Sequence, residues 1–317
     1  MVSIHPEVLI RAQGCLLGQL AGDSLGGLVE FQSAAQIRSS FPDGVRELAH
    51  GGVWRTLAGQ PTDDSEMALS LARTLVARGT YHAEAAREAY VAWISSAPFD
   101  CGATTAGALS GHLNPDSQAN GAMMRASPLG IFGANHPDSR IRGWADEDAG
   151  LTHPHPVCRQ ANALYVMAIA HAIRSGGTAL ALYRRILSWA DEMGVDASLR
   201  AVVRRSAQAP PPDYLHQQGW ILIAFGNALW QLLHAASLEE GVVDTVMRGG
   251  DTDTNAAICG ALLGAVHGLE AIPGQWVAAV LDCRPDPARR DVLVHRPRPR
   301  CYWPTDALEL AAALVSA

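Results

Sequence analysis

The apolar residues of this chain recur three and four positions apart over most of its length, which is the period of one face of an α-helix. Sustained alternation of apolar and polar residues, the pattern of a half-buried strand, is hard to find anywhere. The pattern therefore predicts an all-α fold. The runs with helical spacing are 8–21, 64–78, 83–94, 158–174, 179–190, 219–235 and 256–267.

A chain of 317 residues, 48% apolar and 17% charged, can bury a large core. Its candidate breaks, QAPPPDY at 208–214 and the Arg/Pro-rich segment 284–304, are too short to be flexible interdomain linkers. The candidate functional residues come from both ends of the chain and have to converge on one site. We therefore predict a single domain over residues 1–317.

The charge and cysteine patterns restrict the class of partner and the compartment. A net charge of -7 provides no electrostatic footprint for nucleic acid, and we interpret the basic stretch RPRPR at 296–300 as a solvated loop. The six cysteines lack zinc-site spacing and are expected to be free thiols. The start MVSIHPEVLI does not resemble a secretory signal, and no run reaches the roughly 18 apolar residues of a membrane span. We expect a cytoplasmic monomer that binds neither nucleic acid nor a membrane.

Glycines recur every four residues near both ends of the chain. On a helix this spacing makes a stripe without side chains, at roughly 1 kcal/mol per glycine relative to alanine. We predict close helix-helix contact along the stripes. The alternative, backbone approaching a ligand, is most plausible at Gly22, Gly26 and Gly27. The two stripes are Gly14, Gly18, Gly22 and Gly26, and then Gly260, Gly264 and Gly268.

Two predicted helices begin with acidic and hydroxyl residues, in GGDTDTN at 249–255 and in PTDDSEMAL at 61–69. Asp, Thr and Asn are preferred at helix N-termini, and Asp63 and Glu66 have capping-box spacing. Capping therefore explains at least one of these carboxylates. It does not require the four that occur at Asp63, Asp64, Asp251 and Asp253.

A metal site explains the remaining acids. Residues two apart in an extended segment face the same way, so Asp251 and Asp253 are predicted to precede the helix. The two helix starts together would offer four carboxylates and two threonine hydroxyls, an oxygen set that suits Mg2+ or Mn2+ better than zinc. Without cations, partly buried carboxylates would repel one another and raise their own pKa values.

Other acidic and phosphate-binding motifs do not fit. Counting Asp251 as the first position of an EF-hand puts Ala256 where glycine is needed and Leu262 where the bidentate glutamate belongs. There is no GxxxxGKS-type phosphate loop, and Asp63-Asp64 is not followed by the rest of a DDxxD motif. The oxygen-rich metal site stays the best explanation.

Five segments resemble, in order, the ADP-ribosylglycohydrolases, and the resemblance spans roughly residues 10–275. The resemblance implies an all-α orthogonal bundle with two Mg2+ or Mn2+ ions at the mouth of a cleft. The metal ligands that it implies are Thr62, Asp63, Asp64, Asp251, Asp253 and Thr254. The segments are GCLLGQLAGDSLGGLVEF (14–31), TDDSEMAL (62–69), NGAMMRASPLG (120–130), LTHPHP (151–156) and GGDTDTNAAICGALLGAVHG (249–268).

The resemblance also implies two catalytic acids. Glu30, in LVEF, matches a glutamate that lies over the metals and positions or deprotonates the attacking water. The alternative is an exposed acid at a helix end. Asp100 falls where the family has an acidic residue near the cleft and would assist the leaving group. Ala103 departs from the family pattern, in which asparagine is common at this position.

Three further residues match the part of the family site that holds ADP. Asn120 and Gly121 resemble the loop that binds the diphosphate, and His153 matches a histidine that lines the ADP side. His153 and His155 could alternatively form a two-histidine metal site. Gly219-Trp220 resembles a glycine-aromatic pair that opens a late helix, but the acid usual a few positions later is absent, which leaves the acceptor side open.

The resemblance implies a metal-dependent hydrolase that removes mono-ADP-ribose from modified protein, with arginine as the expected acceptor and ADP-ribose as product. A serine-linked bond or an ADP-ribosylated small molecule would use the same site. Two other classes stay open. A catalytically silent relative would only bind ADP-ribose, and a metal-dependent phosphohydrolase would release phosphate rather than intact ADP-ribose.

Overall fold

The computed structural model describes residues 5–317, so the first four residues of the segment considered as a secretory signal lie outside it. Within this range no β-sheet forms, and strand pairing is limited to three isolated bridges. The prediction of an all-α fold is confirmed. The helices are α1 Pro6–Gly26, α2 Ala34–Ser40, α3 Asp63–Arg78, α4 Ala83–Ser95, α5 Ala103–Leu109, α6 Ser127–Gly133, α7 Asp138–Gly150, α8 Pro156–Ser175, α9 Ala179–Glu192, α10 Ala197–Arg205, α11 Ile221–His234, α12 Leu238–Met247, α13 Thr252–His267, α14 Gly274–Leu281 and α15 Ala307–Ser316.

Every run with helical spacing corresponds to a helix, and the remaining helices were not predicted. α6 is buried along its whole length, so it has no polar face to alternate with an apolar one. α7 has the opposite composition, because its sequence DSRIRGWADEDAG contains few apolar residues. Periodicity therefore finds the amphipathic helices and misses those that are buried on all sides or mostly polar.

The centre of the fold is the contact between α1 and α13, along which the two glycine stripes meet. A Cβ added at Gly18 would lie 2.3 Å from the carbonyl oxygen of Gly260, and one at Gly22 would lie 2.2 Å from that of Ala256. At the end of α1, a Cβ at Gly26 would lie 2.4 Å from the Cα of Asp253. The predicted close helix-helix contact is confirmed. It also explains Gly22 and Gly26 without a ligand.

The other helices pack around this pair. α8, α11 and α12 contact α13, while α15 contacts α1, and α3 lies between α4 and α6. Because α1 and α13 are the first and one of the last long helices, the contact brings the two ends of the chain together. The N-terminus of α13 thus reaches the C-terminus of α1.

Two sequence interpretations about the surface have different outcomes. All six cysteines are free thiols, as their spacing predicts. The RPRPR stretch is not simply a solvated loop. Of its three arginines, Arg298 is buried, Arg296 is half-buried and Arg300 is exposed. Arg298 pairs with Glu66 on α3, which explains why a basic residue can lie inside. Of the helices in residues 5–317, none combines the length and apolar character that a bilayer crossing needs.

Candidate active site

The two acidic helix starts meet in the structure. Thr62 directly precedes α3 and Asp251 directly precedes α13. The hydroxyls of Thr62 and Thr254 lie 3.1 Å and 3.5 Å from the same carboxylate oxygen, Oδ2 of Asp64. The side chains that were predicted to act together from opposite ends of the chain therefore converge.

The local geometry corrects two predictions about these helix starts. Asp251 precedes α13, but Asp253 lies in its first turn, so the prediction that both precede the helix is wrong. Gly249 and Gly250 both have a φ of +79°, and this glycine turn delivers the chain to Asp251. Capping is also wrong as an explanation, because neither Thr62 nor Asp251 makes a side-chain capping bond. Glu66 bonds to Arg298 and Trp93 instead.

Asp23 is a member of the cluster that sequence reasoning missed. Its buried carboxylate accepts hydrogen bonds from the backbone N–H groups of Thr62 at 3.1 Å and Ser65 at 3.2 Å. Asp23, Asp64 and Asp253 each offer an oxygen within 4.8 Å of the others, and so do Glu30, Asp251 and Asp253. In the sequence Asp23 directly follows Gly22 inside an apolar, glycine-rich run, where no local pattern marks it as a site residue.

The residues present fit divalent cations. Oδ1 of Asp64 is buried and has no hydrogen-bond partner among residues 5–317. Burial raises the pKa of Asp64 well above its usual range, and the neighbouring Asp63 and Asp23 raise it further. Burial and other carboxylates act in the same direction on the pKa of Asp63 and Asp253. Ionised together, these groups need positive charge, and a donor set made only of oxygen suits Mg2+ or Mn2+.

Glu30 lies in the turn after α1 and is buried, with 5% of its surface exposed, so the alternative of an exposed acid is wrong. The indole N–H of Trp54 donates to Oε2 of Glu30 at 2.8 Å. Burial raises the pKa of Glu30 to about 8, and Asp100 adds to the rise. Asp100 is half-buried after α4, and burial raises its pKa to about 6.

A cavity of about 400 Å³ connects these groups. Of the residues predicted for the site, only Thr62 and Asp64 do not line it, because they lie deeper. Phe31, Thr105 and Met124 line it as well, although sequence reasoning did not single them out. The predicted residues that line the cavity are Glu30, Asp63, Asp100, Asn120, Gly121, His153, Asp251, Asp253 and Thr254.

The loop at Asn120 is bonded to the acidic helix start. The side-chain amide of Asn120 donates to Oδ2 of Asp251 at 2.7 Å, and its backbone N–H donates to the carbonyl of Gly219 at 2.9 Å. Gly121 packs against His153, since a Cβ there would lie 3.1 Å from the imidazole. His155 points elsewhere and accepts from the N–H of Val157 at the start of α8. The two-histidine metal site is therefore not formed.

Two aromatic residues flank the cavity. Phe31 has a φ of +64°, unusual for a bulky residue, and is 54% exposed at the mouth beside Glu30. Its backbone N–H donates to the carbonyl of Gly250 at 2.8 Å, which links it to the glycine turn. Trp220 precedes α11 and lines an adjoining cavity of about 670 Å³, where its indole donates to Gln118 at 3.0 Å.

Comparison with known proteins gives one consistent result. A family model described as ADP-ribosylglycohydrolase matches residues 5–312. The ADP-ribosyl-[dinitrogen reductase] glycohydrolase of Rhodospirillum rubrum is 30% identical over 283 residues, covering 86% of this chain and 91% of the relative. The ADP-ribosylarginine hydrolase Tri1 of Pseudomonas putida (strain GB-1) is 26% identical over 307 residues, covering 88% and 76%.

A solved structure agrees with the sequence relatives. It is described as an ADP-ribosylglycohydrolase-related protein complex and superposes with a TM-score of 0.80 at 29% identity, covering 98% of this chain and 99% of that one. The family match spans nearly the whole chain and includes both acidic helix starts. This chain is therefore a member of the ADP-ribosylglycohydrolase family of enzymes.

Proposed function

We propose that this protein hydrolyses the N-glycosidic bond between ADP-ribose and arginine in mono-ADP-ribosylated proteins, with two Mg2+ or Mn2+ ions as cofactors. The observation that carries the proposal is the buried carboxylate cluster beside Glu30, which has no positive counter-charge among residues 5–317. Both halves of the site come from opposite ends of the chain, which supports a single domain over residues 1–317.

In this proposal Asp23 is not a ligand but positions the start of α3. The metal ligands are Thr62, Asp63, Asp64, Asp251, Asp253 and Thr254. Asp23 keeps Thr62 and Ser65 in place through their backbone N–H groups. When bound, the cations would hold the ribose hydroxyls and acidify a water molecule. Asn120 orients Asp251 through a hydrogen bond of 2.7 Å.

Glu30 and Asp100 perform the proton transfers. Hydrolysis breaks the bond from the ribose anomeric carbon to the guanidine nitrogen, and the oxygen of a water molecule takes its place. Glu30 is held by Trp54, faces the cavity and accepts the proton of that water, since cations bound beside it would keep its carboxylate ionised. Asp100 faces the same cavity and gives a proton to the leaving nitrogen.

The diphosphate binds at Asn120, Gly121 and His153. Backbone N–H groups beside a glycine can approach phosphate oxygens closely. These residues line the cavity on the side of Asp251, so a ligand can reach them and the acidic cluster together. The mono-ADP-ribosylated protein is the partner in this proposal, and ADP-ribose is the product.

Arginine is the acceptor that the mouth of the cavity favours. A guanidinium is planar and cationic, and it stacks on aromatic faces. Phe31 offers such a face next to the carboxylates of Glu30 and Asp100. The relative from Pseudomonas putida is named an ADP-ribosylarginine hydrolase, which supports the same acceptor. A serine-linked bond would use the same carboxylates but gain nothing from Phe31.

The test is release of ADP-ribose from matched arginine-linked and serine-linked peptides with Mg2+, with Mn2+ and with chelator. We expect metal-dependent release from the arginine peptide. Release from the serine peptide alone would keep the chemistry and refute the acceptor. Tight binding of ADP-ribose without release would indicate a silent relative, and phosphate as product would indicate a phosphohydrolase. The variant Glu30→Gln, which keeps the shape of the side chain, controls for release by a contaminant.

A further inference from the structure

A buried arginine connects the two protein segments that border His153. Arg125 has no exposed surface, and its Nη1 donates to the carbonyl of Gly121 at 3.2 Å and to Oγ1 of Thr152 at 2.9 Å. Its Nε donates to Oδ2 of Asp148 at 3.2 Å, which balances its charge. The guanidinium thus holds the Gly121 loop and the segment before His153 in one arrangement.

The direction of the hydrogen bonds in this network follows from what each group can donate. A guanidinium has only donors, so Oγ1 of Thr152 must accept from Arg125. The hydroxyl has one proton, and Nδ1 of His153 lies 2.8 Å from the oxygen. A hydroxyl oxygen could also accept from Nδ1–H, but Nδ1 is the only acceptor within hydrogen-bond distance of the Thr152 hydroxyl among residues 5–317, so the hydroxyl proton goes to Nδ1. Nδ1 then acts as an acceptor, and the ring proton belongs on Nε2.

The other side of the imidazole faces the cavity. His153 is completely buried, and its Nε2 has no hydrogen-bond partner among residues 5–317. His153 nevertheless lines the cavity next to Gly121, where an added Cβ would lie 3.2 Å from Nε2. A buried N–H without an acceptor costs free energy. A ligand oxygen at this place would satisfy it.

Burial and the nearby charge also keep the ring neutral. Burial lowers the pKa of His153 to about 3, and the positive charge of Arg125 acts in the same direction. A neutral imidazole can have its proton on either nitrogen, so the hydrogen bond at one nitrogen decides what the other nitrogen offers to a ligand. At His153, the hydrogen bond between Thr152 and Nδ1 determines which nitrogen is protonated.

We propose that Thr152 and Arg125 are positioning residues that fix His153 as its Nε2–H tautomer, so that the ring donates a hydrogen bond to an oxygen of the ligand. The class of ligand is an oxygen acceptor at the diphosphate part of the cavity, an assignment that rests on the proposed function. The tautomer itself follows from the protein alone.

The experiment reads the tautomer directly. Long-range ¹H–¹⁵N NMR spectra of the full chain with ¹⁵N-labelled histidine distinguish a protonated from an unprotonated ring nitrogen, and the variant His153→Gln assigns the signal. We expect the wild type and Thr152→Ser to show Nε2–H. We expect Thr152→Val, which keeps the shape but lacks the hydroxyl, to lose the fixed tautomer. A wild-type signal with the proton on Nδ1, or an unchanged tautomer in Thr152→Val, would overturn the proposal.

Calorimetric titration with ADP-ribose tests the consequence for binding. Thr152→Val should weaken the affinity by about tenfold, the size of one hydrogen bond, while Thr152→Ser should stay close to wild type. His155→Gln is the matched control, because His155 is a neighbouring histidine outside the lining of the cavity. Thermal unfolding of each variant checks that it folds. If the wild type shows the fixed tautomer but releases no ADP-ribose from any peptide, the proposed function fails and this inference stands.

Discussion

The first turn of α3 contains two kinds of buried acid. Glu66 receives two hydrogen bonds of 2.7 Å from Arg298 and one of 2.8 Å from the indole of Trp93. Three residues earlier, Asp63 has no basic partner in residues 5–317 and lies among other carboxylates. Asp148 resembles Glu66, because the buried Arg125 pairs with it. Glu66 and Asp148, which lie outside the acidic cluster, each have a buried arginine as partner, whereas the acidic cluster has no basic partner in residues 5–317.

The contrast teaches how to separate structural from functional charge in this molecule. A buried pair such as Glu66 and Arg298 is complete within the chain, so nothing needs to bind there. The acidic cluster is incomplete, and its carboxylates raise one another's pKa. A group of buried carboxylates without counter-charge in a well-packed core indicates a binding site for an ion or ligand. Variants in each kind of acid test this division.

The largest effect is expected for Asp251→Ala. Its carboxylate belongs to the cluster with Glu30 and Asp253, so the variant should lose bound metal and lower kcat by at least about 100-fold. Folding should persist, because removal of one carboxylate relieves repulsion in the absence of metal. Metal content and ADP-ribose release are measured on the same preparation, with the exposed Asp282→Ala as control. Full activity in Asp251→Ala would refute the two-ion model.

Next in size is Glu66→Ala, which leaves Arg298 buried and unpaired. Breaking a buried ion pair in this way is expected to destabilise the protein by about 3–5 kcal/mol. Chemical denaturation measures the loss. The double variant Glu66→Gln, Arg298→Met should recover part of it, since both charges are then gone. If Glu66→Ala were as stable as Asp251→Ala, the distinction between the two kinds of acid would be wrong.

A smaller loss is expected at the helix contact that supports the acidic cluster. Gly18→Ala would place a methyl group 2.3 Å from the carbonyl of Gly260, and overpacking of this kind costs about 1–3 kcal/mol. Gly143→Ala in α7 is the matched control, because an added Cβ there meets nothing within 4 Å. The control should be neutral or slightly stabilising in thermal unfolding. Equal stability of the two variants would argue against a tight contact.

The smallest effect is a dependence of stability on pH that cations should remove. The folded-state pKa is raised to about 7 for Asp23 and about 8 for Glu30, whereas the unfolded values are near 4. The folded chain therefore binds more protons between about pH 4 and pH 8, so chelated protein should lose stability as the pH rises through this window. In chelator, Tm should fall by a few degrees as the pH rises through this window, and with Mn2+ it should change less. Identical slopes of Tm against pH with chelator and with Mn2+ would contradict the repulsion between carboxylates.

The helical fold and most of the candidate site residues can be predicted from the sequence, because both produce local patterns. Periodicity identifies amphipathic helices, and Asp63 and Asp251 are recognisable since they directly adjoin helix starts. Asp23 escaped prediction because a single acid inside an apolar, glycine-rich helix has no local pattern that marks it. Arg298 was misjudged for a related reason. Its partner Glu66 lies 232 residues away, and alternating Arg and Pro are typical of exposed loops.

The tautomer of His153 lies beyond any reading of sequence alone. It depends on three atoms from separate places, namely Nη1 of Arg125, Oγ1 of Thr152 and Nδ1 of the ring. Thr152 and His153 are neighbours, but Arg125 reaches them only through the fold. Residues whose effect passes through another side chain therefore need coordinates before they can be assigned.

The glycine contact between α1 and α13 has a consequence for the choice of ion. Asp253 belongs to α13, and Asp23, which holds the start of α3 through Thr62 and Ser65, belongs to α1. Near these two residues the backbones of α1 and α13 touch without intervening side chains. Because no side chains are packed between the helices there, a change of rotamer cannot widen the distance between them. A large ion such as Ca2+ needs more ligands at longer distances, whereas Mg2+ requires a small and regular shell. We expect this rigid helix pair to select cations by radius, with Mg2+ and Mn2+ accepted and Ca2+ rejected.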